Sequence, residues 1–98
     1  MKVEILSAAK QDPVDGYWFD ERQHSSLGDY FLKQLKSDID TLALYAGIHR
    51  RAYGRYHWLG SKRFPYAILY YVKDDTAFVD AVIPCRRSEK WISRRLDL

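Results

Sequence analysis

The chain has 98 residues with 47% hydrophobic content and a formal charge of +3. That is one domain's worth of chain, 1–98, able to bury roughly 60–65% of its unfolded surface without metal or disulfide staples. Cys85 is the single cysteine, which excludes an internal disulfide and a cysteine-rich zinc site and suits a reducing cytoplasm. The opening MKVEIL lacks a long apolar core, and no window approaches 18 uninterrupted apolar residues, so neither secretion nor a membrane partner is expected.

Lys2–Leu6 alternates polar and apolar residues, as a strand with one buried face does. Asp12 followed by Pro13 predicts a capped helix over Pro13–Gln23, with Val14, Tyr17 and Trp18 on one face. A start near Ser7 is the alternative, and Pro13 then kinks the helix. Ser26 and Asp29 have capping-box spacing. After them Leu27, Phe31, Leu35, Ile39, Leu42 and Ala46 recur every three or four residues. This stripe predicts an amphipathic helix of about five turns, ended by Gly47. The two helices form an αα-hairpin.

Residues 53–60, aromatic and glycine-bounded, read as a first meander strand. Phe64–Val72 is an almost wholly apolar strand with Pro65 at its start, and Asp74-Asp75 turns it into Thr76–Ile83. Ser88 caps a short terminal helix over SEKWISRRL. The order β-α-α-β-β-β plus a C-terminal helix predicts an α+β fold, with a helical hairpin on a small, mainly antiparallel twisted sheet.

Chemistry-bearing residues are sparse. His24, His49 and His57 have no metal-ligand spacing and no third ligand, so no metal is expected. Asp20-Glu21 and Asp38/Asp40 read as solvated helix faces. Phosphate-loop, dinucleotide and nucleophile-elbow motifs do not occur, so cofactors are set aside.

Charge is unevenly divided. Residues 1–49 carry 5 Lys/Arg against 8 Asp/Glu, and residues 50–98 carry 11 against 5. An acidic partner, nucleic acid or protein, suits the second half; ordinary surface charge is the plainer account. Lys62 and Arg63 precede the central strand and Arg86 and Arg87 follow the next. In a hairpin all four meet at one edge, beside Tyr66 and Trp91, where arginines clamp phosphates and an aromatic ring stacks on a base. Alternatively Arg87 pairs with Asp80 or Glu89, and Trp91 plugs the terminal helix onto the sheet.

The phrases SLGDYFLKQL, IDTLALYAG, KRFPYAILYYVKDDTAFVDAVI and CRRSEKW, in this order, span nearly the whole chain. Together they resemble the toxins of bacterial type II toxin–antitoxin modules, the RelE/ParE superfamily, also called plasmid-stabilisation proteins. The resemblance implies helices packed on a twisted antiparallel sheet and a cognate antitoxin as partner, with a homodimer compatible. RelE-like members are metal-independent ribosome-dependent mRNA endoribonucleases, which would give Lys62, Arg63 and Arg86 catalytic roles. Such members carry a C-terminal Tyr or His, where this chain has only Trp91, and Cys85 stands where relatives often have His. Tryptophan exchanges no proton, so the chain is placed closer to the ParE-like branch, which inhibits DNA gyrase by binding. Lys62, Arg63, Arg86, Arg87 and Trp91 are then the expected target- or antitoxin-binding residues. A non-toxic nucleic-acid or protein binding module is the third reading.

Overall fold

The apolar run after Pro65 forms the central strand. Two aspartates at φ 51° and 57°, Asp74 and Asp75, turn it back into the next strand. Positive φ at both central residues is what a two-residue type I′ hairpin demands, and aspartate tolerates that region better than most side chains. The computed structural model describes residues 1–12 and 27–98. In chain order the elements are β1 (Lys2–Ile5), helical residues 7–12 (α1), α2 (Leu27–Asp40), α3 (Leu42–Tyr45), β2 (His57–Gly60), β3 (Tyr66–Lys73), β4 (Thr76–Pro84) and α4 (Glu89–Arg95). The sheet order is β1-β4-β3-β2, antiparallel except for the parallel β1–β4 pair. This is the expected α+β order, with the helical hairpin on one side.

Alternation along β3 divides the core between two faces. Tyr66, Ile68 and Tyr70 face α1–α3 and meet Ala9, Phe31, Leu35 and Leu42. Ala67 and Leu69 face the other way and meet Ile92 and Leu96 of α4, with Trp91 at the margin. The terminal helix therefore roofs the face opposite the hairpin, and the sheet is covered on both sides. Burying Ile68 and Leu69 completely stabilises by about 1.5–3 kcal/mol each.

Pairing slips by one residue between Leu69 and Tyr70, because β4 has Asp80 as an extra residue. The bulge changes the parity of β4, so Val79 and Val82, three apart, share the helix-facing core. It also ends the parallel pairing, whose last partners are Ile5 and Val79. The N–H of Val82 then lacks a strand partner and donates instead to Asp12 Oδ2, 3.0 Å away. Arg95 of α4 forks onto the same carboxylate at 3.2 and 2.7 Å and donates to the Asp80 carbonyl at 2.8 Å.

Three expectations change. Asp12 lies within helical residues 7–12, and its carboxylate staples the bulge instead of capping a helix that begins at Pro13. The long helix divides at Thr41 into α2 and α3, although Thr41 keeps helical φ −62° and ψ −23° and its N–H still donates to the Ser37 carbonyl at 3.2 Å. The first meander strand starts at His57; residues 53–56 turn instead around Gly54 at φ 69°. The predicted helix over Pro13–Gln23 and the Ser26 cap lie outside the described residues.

Candidate functional site

The β3–β4 register places Tyr66 opposite Pro84, and the Cys85 N–H donates to the Pro65 carbonyl at 2.9 Å. The segments carrying Lys62 and Arg63 and those carrying Arg86 and Arg87 thus leave the sheet at the same end. All four side chains are exposed. Ser61 shapes the first segment, its hydroxyl accepting from the Arg63 and Phe64 N–H groups at 3.2 Å each. Ser88 shapes the second, capping α4 by accepting from the Trp91 N–H at 3.2 Å.

The cations do not converge on one point. Arg63 donates to the Tyr30 hydroxyl at 2.9 Å, at the start of α2, where the Tyr30 ring meets Phe64 edge-on at 5.4 Å. Arg87 turns to the opposite face, its guanidinium carbon 4.7 Å from the Trp91 ring centre. The edge has two lobes, one against the helical hairpin and one against α4.

Among the described residues, the ion pairs are Lys36–Asp40 and Arg95–Asp12, so the alternative pairing of Arg87 with Asp80 or Glu89 does not form. Asp80 instead accepts from the Tyr56 hydroxyl at 2.7 Å. Trp91 does serve as a plug, half-buried against the α4-facing core. Its ring holds the Arg87 guanidinium over an apolar base, which orders an otherwise mobile side chain.

Tyr66 does not join the edge as a stacking ring, because it is buried and its hydroxyl donates to Asp38 at 2.7 Å. Burial, then the Asp38 carboxylate, pushes the phenol well above its ordinary range. Cys85 is exposed as a residue, yet partial desolvation of its sulfur pushes the thiol up, so it remains protonated at neutral pH. Lys62, Arg63, Arg86 and Arg87 supply this edge with positive charge and hydrogen-bond donors. Among the described residues no group of three His, Cys, Asp or Glu could hold a metal ion, and no helix is long and apolar enough to cross a membrane.

A second constellation escaped the sequence. Tyr70, on the helix-facing side of β3, accepts from the Gly47 N–H at 2.9 Å and bonds to His49 Nδ1. The His57 ring stacks on Tyr70 at 5.1 Å and bonds through Nδ1 to the His49 carbonyl at 2.6 Å. Burial, followed by the neighbouring His57, holds His49 below its ordinary value. The cluster fastens the α3–β2 loop to the sheet. Pairwise metal-ligand spacing could not reveal it, because Tyr70 is its hub; its sequence signal is a Tyr on the core-facing register of β3.

No family model and no curated protein sequence matches the chain. Among solved structures it is similar to a chain of "Chromosomal ParDE TA system from P. aeruginosa", with a TM-score of 0.80 at 15% identity, covering 86% of this chain and 95% of that one. The fold implied by the RelE/ParE resemblance is the fold this chain has.

Proposed function

We propose that the protein is the toxin of a bacterial type II toxin–antitoxin module, of the ParE-like kind. It inhibits its target by binding and is neutralised by a cognate antitoxin. The observation carrying this reading is the likeness in fold to a chain of a ParDE system over nearly that chain's full length. The basic edge sharpens it toward binding: Lys62, Arg63, Arg86 and Arg87 with Trp91 offer charge and an apolar base, while cleavage of RNA needs a group to take the 2′-hydroxyl proton. DNA gyrase is the target this reading names, in the cytoplasm.

The test is induction in cells with and without the adjacent small reading frame. Induction alone should arrest growth, and the neighbour should restore it. Pulse-labelling should show DNA synthesis failing before amino-acid incorporation; cleaved messages appearing first would replace the reading with a RelE-like ribosome-dependent nuclease. Arg86→Ala with Arg87→Ala should abolish the arrest while the purified variant melts close to the parent. A variant that still arrests growth removes this edge from the working surface. Normal growth at verified soluble expression of the parent would instead favour a non-toxic binding module.

A further inference from the structure

The sheet order β1-β4-β3-β2 leaves β1 at one margin, with no strand beyond it among the described residues. Lys2 N–H donates to the Asp75 carbonyl at 3.2 Å and Leu6 N–H to the Val79 carbonyl at 2.9 Å. In a parallel pair of that register the even-numbered residues of β1 turn their backbone groups to β4, and Val3 and Ile5 turn theirs outward. This margin therefore presents a row of backbone donors and acceptors to a further strand. The opposite margin is not equivalent. There the Arg51–His57 bridge and the Trp58 N–H, 2.9 Å from the Arg50 carbonyl, occupy part of β2.

Side chains along β1 alternate between the two faces. Val3 packs against the helix-side core, and Ile5, on the same side, lines a cavity with Leu32 and Leu35 yet stays 36% exposed. Met1 is 44% exposed. Lys2 and Glu4 belong to the opposite face, both exposed and in no ion pair among the described residues. The run Met1-Lys2-Val3-Glu4-Ile5 thus reads apolar, positive, apolar, negative, apolar. Laid antiparallel on itself about Val3, it sets Lys2 opposite Glu4 and Met1 opposite Ile5.

We propose that two copies of this chain associate through β1, antiparallel about a two-fold axis at Val3, joining two four-stranded sheets into one. The Val3 N–H of each copy donates to the Val3 carbonyl of the other, and the Ile5 N–H to the Met1 carbonyl. On one face Lys2 meets Glu4 of the second copy, and the symmetry repeats the pair; on the other face Met1 meets Ile5. Charge selects the register. Centring on Glu4 sets two carboxylates opposite each other, and centring on Ile5 reaches into helical residues 7–12, which cannot join a ladder. Any extended strand satisfies the backbone, but the reversed charge order favours a second copy over an unrelated chain. Such a contact closes on itself, so the edge is used up and no fibre grows. The proposal goes beyond the toxin reading and does not rest on it, because none of Lys62, Arg63, Arg86, Arg87 or Trp91 takes part.

Sedimentation velocity on the full chain, from low-micromolar to near-millimolar concentration, tests it. A contact this small belongs to the weak class, so dimer should accumulate across that range. Lys2→Glu should weaken association by about tenfold or more, because like charges then face each other at both symmetric positions. Glu4→Lys should do the same. Mixing these two variants restores opposite charges at both positions, so an equimolar mixture should dimerise about as tightly as the parent. Amide hydrogen exchange reads the edge itself: Val3 and Ile5 should gain protection as concentration rises, while Glu4, bonded to β4, is protected throughout. Val3→Pro removes an outward N–H and should leave a monomer. The charge variants, at exposed positions, keep the test valid if the proline variant melts early. A parent monomeric at every concentration, a Lys2→Glu variant that dimerises like the parent, a mixture no tighter than its components, or Val3 exchange independent of concentration would each overturn the proposal. None of these readouts depends on toxicity, so their failure is distinct from failure of the toxin reading.

Discussion

Where β4 runs on past its pairing with β1, one carboxylate closes an opening that the bulge creates. Asp12 accepts from the Val82 N–H and from Arg95 in the same few ångströms, and side chains that are only 16% and 18% exposed carry the charges. At the β2 edge the loop backbone does the closing, through Ala52, Trp58 and the Arg51–His57 bridge. Arg50 and Arg55 lie over its rings and join no ion pair among the described residues. One edge consumes its charges in holding the fold together; the other displays them. A charge half-withdrawn from water is costly unless paired, whereas an arginine lying on an aromatic plane keeps most of its hydration and its freedom to meet a partner. The position of an arginine in this chain therefore says less about its use than the group beneath it does.

Breaking the paired edge should have the largest effect. Asp12→Ala leaves Arg95 unpaired and the Val82 N–H without its acceptor, for a loss of about 3 kcal/mol. Thermal melts should register a drop on the order of 10–20 °C. Adding Arg95→Ala should cost little more, since the two share one network. An additive loss would separate the staple into two unrelated contacts.

The fastening of the α3–β2 loop comes next. Tyr70→Phe removes the hydroxyl that serves Gly47 and His49 and should cost about 1–3 kcal/mol. If denaturant unfolding shows no change, the loop is held by its backbone bonds alone.

Stability should also respond to pH at both extremes. Tyr56, Tyr66 and Tyr70 are all raised above 10.0, chiefly by burial. The unfolded chain then releases phenolic protons near pH 10 while the folded chain retains them, so stability is full below that pH and falls as pH rises beyond it. His49 is lowered from 6.5 by burial and by His57. Here the unfolded chain takes up the proton first, so stability falls as pH drops below about 6.5. Urea melts across pH locate both limbs, and His49→Asn should flatten the acidic one.

The smallest effect belongs to the displayed charges. Arg87→Ala loses a half-exposed contact with Trp91, about 0.5–1 kcal/mol. A larger fall would mean that this arginine holds α4 in place and is not free for a partner.

How much of this was readable in the sequence follows from how local each determinant is. The β3–β4 hairpin was legible because an apolar run, two aspartates and a second apolar run lie next to one another. The stripe of α2 was legible for the same reason, and it runs on through Thr41 into α3. The bulge at Asp80 was hidden, since Val79 and Val82 share a face only after the extra residue is known. Asp12 looked like a helix cap because its partner, Arg95, lies 83 residues away. The basic quartet was placed at the correct end of the sheet, but the faces were not. Whether Arg63 meets Tyr30 and Arg87 meets Trp91 depends on which side each helix covers, and connection order does not specify that.

The parallel pairing of β1 with β4 has a consequence for how the chain acquires its shape. Lys2 must find Thr76, and Ile5 must find Val79, whereas β3 and β4 are separated only by the two-aspartate turn. Closing a long loop costs more entropy than closing a short one, and distant contacts reward the chain late. The hairpin should therefore nucleate folding and the N-terminal strand should dock last. Kinetic φ-values should be high around Asp74-Asp75 and low in β1. During synthesis β1 is then made long before its partner strand and stays unsecured until β4 has left the ribosome.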